Sequence, residues 1–347
     1  MLRLCQENRP SVTPQRIMLI MAYYLLTIEY DGTDFHGWQR QPGMRTVQGE
    51  IETALSAILN ERIDIHGVSR TDAGVHAYAQ MAGFSTKKPI PAERLKLALN
   101  NALCSSRSRG GRHGDVRIKA VRSGDELQDG FHARHSAVGK TYIYRIMSSM
   151  TPDIFLRNHC WQISFVPDVV LMREAAVFLT GVHDFKAFQS AGGNDQESTI
   201  KTVYSISIYQ EEHGFNDFTI MNSDYRTDIQ QSEDGCSGML KINNDNSNNI
   251  CNEEHNLNDI SGMNVSGVER ISTVLEEDEK RVSTTVVITG SGFLYNMVRI
   301  ITGTLAEVGE GKRAPESVKR VLEAKDRTLA GPTAPPQGLY LARVYYR

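Results

Sequence analysis

Between residues 23 and 121 the apolar residues repeat with two alternating periods, and the order of those periods most limits the fold. Period-two stretches at 23–30, 63–68, 80–85 and 116–121 predict strands. Val47, Ile51, Ala54, Leu55, Ile58 and Leu59 recur at helical spacing, which predicts a helix over 46–59 with one buried face. A second helix is expected over 92–103, starting just after Pro91. Asp31-Gly32 is a turn signal, and 69–76 is a polar loop. Strand, helix, strand, strand, helix, strand is the ferredoxin-like order of an α+β domain.

The second half repeats this order more loosely. Strands are expected at 141–147, 160–165, 202–209, 284–289 and 339–346, and helices at 169–179, 294–308 and 315–324. The expected organisation is an N-terminal extension over 1–21, an α+β half over 22–125 and a second over 126–347. The two halves would form a mixed, mainly antiparallel sheet flanked by helices.

Two segments interrupt this pattern. Residues 105–115 are rich in Ser, Gly and Arg, with Arg107, Arg109, Arg112 and His113; they suit either a flexible loop or a phosphate-touching arm. From Asp224 to Lys280 there are thirteen acidic and four basic residues, and nine Asn lie between Asn243 and Asn264. This stretch lacks the apolar area to offset its ordering entropy, so disorder is expected over about 224–280. Its charge of −9 leaves +6 on the rest of a chain whose total is −3, which is compatible with an RNA partner.

Other classes find little support. No run approaches the roughly 20 apolar residues of a membrane span. The apolar run 17–21 is short and enters a strand pattern without a small-residue cleavage site, so a secretory signal is not expected. The five cysteines show neither metal-ligand spacing nor a disulfide framework, which suits a reducing cytoplasm without a structural metal.

Three stretches carry chemistry. In Ser69-Arg70-Thr71-Asp72-Ala73-Gly74-Val75-His76-Ala77, Gly74 permits a bend with φ > 0 beneath a carboxylate. Arg70 and Asp72 share a side in an extended segment, giving a charge-held nucleophile or a plain ion pair at a turn. In Lys140-Thr141-Tyr142-Ile143-Tyr144-Arg145, alternation puts Tyr142 and Tyr144 on one strand face, either to stack on a base or to fill a core. Arg299 stands in the apolar run after Gly290-Ser291-Gly292-Phe293-Leu294-Tyr295-Asn296, where a guanidinium needs a protein carboxylate or a phosphate.

Together these stretches resemble the bacterial tRNA pseudouridine synthase A family. So do Glu29-Tyr30-Asp31-Gly32, Phe35-His36-Gly37-Trp38-Gln39-Arg40-Gln41, Thr46-Val47-Gln48, Phe131-His132-Ala133-Arg134, His183-Asp184-Phe185, Lys325-Asp326-Arg327 and Gly338-Leu339-Tyr340-Leu341. The resemblance spans about residues 22–346, less the two interruptions. Ser69 departs from the Gly common in the family, and the acidic stretch is an insertion. The resemblance implies the pseudouridine synthase fold and an isomerase that converts uridine to pseudouridine at positions 38, 39 and 40 of the tRNA anticodon stem-loop. It implies a cytoplasmic homodimer that needs no cofactor or metal. Asp72 matches the catalytic aspartate, Arg70 and Arg299 the arginines around it, and Tyr142 the tyrosine beside the target base. Leu294 matches a pocket-lining apolar residue, and Arg134 and Lys140 fall in motifs assigned to substrate binding. A synthase acting on another RNA and a non-catalytic RNA-binding protein on the same fold remain the alternatives. A nucleotide hydrolase lacks its phosphate loop.

Overall fold

The computed structural model describes residues 21–105, 114–192, 198–213 and 281–347. The acidic 224–280 stretch, most of the 105–115 segment and nearly all of the 1–21 extension lie outside the described residues.

The first half follows the expected order: β1 (Ala22–Tyr30), α1 (Val47–Leu59), β2 (His66–Gly67), β3 (His76–Thr86), α2 (Ala92–Ser105) and β4 (Val116–Ser123). Thr46 caps α1, its side chain accepting from the Gly49 N–H at 3.3 Å. Val47, Ile51, Leu55 and Leu59 are buried along one face of that helix. Each such side chain contributes roughly 1.5–3 kcal/mol of burial. The second half comprises β5 (Ala137–Ser148), β6 (Trp161–Ile163), α3 (Val169–Val177), β7 (Gly181–Asp184), β8 (Ile200–His213), β9 (Arg281–Gly290), α4 (Met297–Gly309), α5 (Ser317–Ala324) and β10 (Leu339–Tyr346). Among the described residues no helix is long and apolar enough to cross a membrane.

Among the described residues all ten strands join one sheet, with main order β4-β1-β3-β10-β5-β9-β8-β7; β2 pairs with β3, and β6 with β5. Most pairings are antiparallel, while β3–β10 and β5–β6 are parallel. The fold is therefore α+β with a mixed, mainly antiparallel sheet. The short contact of Tyr340 with His76 and Leu341 with Ala77 joins the first-half strands to the second. The main apolar core lies on the helix-bearing face, where Leu26, Ile28, Tyr142, Tyr144 and Ile288 meet residues of α1 to α5. The opposite face carries a smaller cluster of Leu25, Val68, Met81 and Ala133.

Two expectations change. The strand foreseen over 63–68 pairs only at His66 and Gly67, although Ile63 and Ile65 are buried. Its alternation reports burial rather than a ladder. Conversely β7 was not foreseen, because Gly181-Val182-His183-Asp184 has no apolar alternation.

Candidate active site

The polar loop between β2 and β3 is held on several sides. Trp38 N–H donates to Thr71 O at 3.0 Å, and Gly74 N–H donates to Phe35 O at 3.3 Å. The Tyr30 hydroxyl meets Thr71 Oγ1 at 2.7 Å in a buried contact. Gly74 adopts φ +76°, the bend expected from sequence. Gly37, at φ +86°, lets the neighbouring loop approach; a Cβ there would lie 2.6 Å from Thr71 O. The loop that presents Asp72 is thus fixed by backbone packing from residues 35–38.

Asp72 Oδ2 accepts from an Arg299 guanidinium nitrogen at 3.1 Å. The two residues are 227 apart in sequence. Arg299 lies in the first turn of α4 and is oriented by two more acceptors, Ala334 O at 2.7 Å and Asn296 Oδ1 at 2.8 Å. Asn296 stands just before the helix in the left-handed region, at φ 60°, and also donates to Ser190 Oγ at 3.0 Å. Asparagine tolerates that conformation, which lets its amide brace the arginine. Burial raises the Asp72 carboxyl above its usual range, and the Arg299 charge only partly offsets this. The partner of Asp72 is therefore Arg299. Arg70 is exposed, because the loop does not continue as a strand at that point.

A cleft of about 740 Å³ opens over this pair, and all seven sequence-derived candidates line it: Arg70, Asp72, Arg134, Lys140, Tyr142, Leu294 and Arg299. That volume suits a small organic group such as a nucleotide. Tyr142 is buried, with its ring meeting Phe293 edge-on at 5.2 Å. Burial, with the Asp72 charge adding to it, pushes the phenol up to about 12. Leu294 is buried. Arg134 donates to Gly67 O at 3.3 and 3.2 Å, and Lys140 donates to Val68 O at 3.0 Å. Both cations brace the approach to the loop while facing the cleft. Tyr144 is not among the residues lining the cleft; it donates to Pro335 O at 2.6 Å from a fully buried position, beside the Arg299 acceptor Ala334.

Sequence reasoning missed a second cluster. Asp31, His76 and His159 bring ligand-type atoms within 4.8 Å of one another. His76 is buried, and its Nδ1 lies 3.0 Å from Gly32 N and 3.2 Å from Asp31 Oδ1. The neutral ring accepts the Gly32 N–H there, and the charged ring donates to Asp31. Its Nε2 meets Asn158 O at 2.9 Å. Both ring nitrogens are committed to the protein, so the cluster is an anchor for the start of β3 rather than an open ligand set. Burial acts to raise the Asp31 carboxyl, but donors from His76 and Thr33 outweigh it and hold the group well below the usual carboxylate range.

The chain matches the family described as "tRNA pseudouridine synthase" over residues 26–112 and 175–347. It is 35% identical over 326 residues to a protein named tRNA pseudouridine synthase A from Thermoanaerobacter sp. (strain X514), covering 94% of this chain and 100% of the relative. The protein of that name from Bacillus subtilis (strain 168) is 37% identical over 322 residues, or 92% and 97% of the two chains. A protein named tRNA pseudouridine synthase A 2 from Clostridium perfringens (strain 13 / Type A) is 34% identical over 321 residues, or 92% and 98%.

Proposed function

This chain belongs to the tRNA pseudouridine synthase family, and from that premise we propose that Asp72 is the nucleophile with which it isomerises uridines 38, 39 and 40 of the anticodon stem-loop. The chain is an isomerase acting on tRNA. The observation that carries the site assignment is the Asp72–Arg299 ion pair inside a cleft also lined by Arg70, Arg134, Lys140, Tyr142 and Leu294.

Product and substrate are isomers. The N1–C1′ bond breaks, a C5–C1′ bond forms, C5 loses a proton and N1 gains one. This balance calls for no redox partner. Burial makes the Asp72 carboxylate more basic than an exposed one, while Arg299 keeps it charged and aimed. Addition to the pyrimidine ring, attack at C1′ and assistance to a glycal all use the same group in the same place. Tyr142 offers its ring to the base. Its buried phenol keeps its proton at neutral pH, so any proton it takes from C5 must be passed on in the same step. Leu294 supplies an apolar wall for uracil. Arg70, Arg134 and Lys140 supply positive charge for the flanking phosphates, and the flipped base leaves its stack to reach the cleft.

A cleft of this size holds one nucleotide, so reading the shape of a tRNA falls to a larger surface. We assign that surface to a homodimer working in the cytoplasm. Activity followed against sedimentation across a dilution series tests the dimer; full specific activity from a monomer rejects it.

Asp72→Asn is nearly isosteric and tests the nucleophile. Tritium release from C5-labelled tRNA should fall by at least ~10³-fold, while tRNA binding in a filter assay stays close to wild type. Substantial release by the Asn variant, with deamidation excluded by mass spectrometry, sinks the assignment.

A further inference from the structure

β3 carries an irregularity opposite β1. Ile28 pairs with Gln80 and Tyr30 with Ala77, so Tyr78 and Ala79 together oppose Glu29. Such a bulge turns the following side chains to the other face of the strand. Without it Gln80 would face away from Ala77; with it Gln80 shares the face of Ile28, below the Asp72 loop. The side chain is fully buried.

Its carboxamide grips one residue from both sides. Gln80 Nε2 donates to Ser69 O at 2.7 Å, and Gln80 Oε1 accepts from Ser69 N–H at 3.3 Å. The same oxygen accepts from Met81 N–H at 3.2 Å, which fixes the amide's orientation. Ser69 is the buried residue at which the chain enters the loop, three positions before Asp72. Trp38, Tyr30 and Phe35 tie the loop further along, at Thr71 and Gly74.

From this geometry we infer that Gln80 is a positioning residue for the reaction: it sets the Ser69 peptide, and through it the reach of the Asp72 carboxylate into the cleft. The inference rests on Asp72 being the nucleophile. Gln80 itself is not in contact with the substrate, so its loss should act on turnover more than on tRNA affinity. A displacement of about 1 Å at a reacting group costs on the order of 100-fold in rate.

The test compares Gln80→Met with a matched control. Asn100 makes the same two-sided grip on Ile118, donating to its O at 3.0 Å and accepting from its N–H at 2.8 Å, on α2 away from the cleft. Asn100→Leu therefore removes the same kind of bond from a part of the molecule with no role in the chemistry. At a temperature where circular dichroism shows every variant folded, Gln80→Met should lose on the order of 10- to 100-fold in kcat, with KM for tRNA within about twofold. Asn100→Leu should leave both near wild type. Gln80→Glu adds a pH signature. Its carboxylate cannot donate to Ser69 O, whereas its protonated form can, so its rate relative to wild type should recover as pH falls. A kcat for Gln80→Met no lower than that of the control overturns the inference, as does a flat Glu-to-wild-type ratio. If Gln80→Met does not fold, Gln80→Glu decides. If neither folds, Gln80 serves stability alone and the inference falls. Asp72→Asn, run alongside, separates the two claims. An active Asn variant breaks the nucleophile reading, whereas an inactive one beside an unimpaired Gln80→Met breaks only the positioning role.

Discussion

Asp31 opens the turn after β1 and Asp72 sits in the loop before β3, and the two carboxyl groups are pushed in opposite directions. Burial is the largest influence on both and acts to raise both. At Asp31 it is overcome by Thr33 N–H at 3.0 Å, Thr33 Oγ1 at 2.6 Å and His76 Nδ1 at 3.2 Å. Asp72 has the single guanidinium of Arg299, which is shared with Ala334 O and Asn296 Oδ1. A carboxylate saturated with donors is stabilised as an anion and is a weak nucleophile. One held by a single cation over an open cleft keeps lone pairs for a substrate. The number of donors, more than the degree of burial, separates the anchoring aspartate from the reactive one.

The strongest way to break this comparison is to strip Asp72 of its cation. In Arg299→Met burial acts alone on the carboxyl, so its pKa moves further up. Removing charge stabilisation of this kind costs on the order of 10²- to 10³-fold in kcat. The acid limb of the pH–rate profile, where the carboxylate is lost to protonation, should also shift to higher pH. Tritium release measured across pH reads both effects. An unmoved acid limb would mean that the titrating group is not Asp72, and the contrast with Asp31 would lose its functional meaning.

Much of this contrast was out of reach from the sequence. The motif around Asp72, the bend at Gly74 and the helix faces were legible because they depend on residues close in sequence. The cation beside Asp72 was ambiguous. Arg70 stood two residues away and Arg299 stood 227 away, and only the folded chain brings the distant one into contact. The Asp31–His76 anchor was missed because an Asp-Gly turn signal accounts for Asp31 without any partner 45 residues on. Gln80 was invisible for another reason: a polar residue opening the strand expected over 80–85 gives no sign of its hold on Ser69, and a bulge leaves no mark in the pattern of apolar residues. Alternation also overstated the strand at 63–68. There a Cβ on Gly67 would lie 2.4 Å from the Trp38 indole nitrogen, so the segment is shaped by packing against that ring more than by ladder bonds.

A smaller effect sharpens the comparison through stability. The folded-state carboxyl of Asp72 is raised, so its contribution to stability is present below the ordinary aspartate value of about 3.9 and is lost as pH rises through the raised value. That of Asp31 is lowered, so its contribution is present above about 3.9 and is lost as pH falls through the depressed value. Asp72→Asn should therefore melt above wild type at neutral pH and converge with it in acid. Asp31→Asn should melt below wild type at neutral pH, and its deficit should shrink in acid. The Asp31 side chain is 43% exposed, so screening keeps its deficit within the ~1 kcal/mol of an exposed pair. Calorimetric melting across pH gives both signs, and the same sign at both aspartates would refute the contrast.

The smallest effect concerns one donor of Asp31. Thr33→Val removes the hydroxyl that donates to Oδ1 at 2.6 Å and leaves the Thr33 N–H donating to the same oxygen. His76 and solvent remain available to the carboxylate, so most of the donor set survives. A typical hydrogen bond contributes about 0.5–1.5 kcal/mol net and one to a charged group more, but the exposure of this one and the N–H that stays on the same oxygen bring its contribution to the low end. Denaturant unfolding should show a loss near ~0.5 kcal/mol, with kcat within about twofold of wild type, since β3 is still fixed by the His76 Nε2 contact to Asn158 O. A fall in kcat as deep as that of Arg299→Met would mean that the turn after β1 reaches the reacting centre. The two aspartates would then belong to one catalytic unit, and donor number alone would not tell them apart.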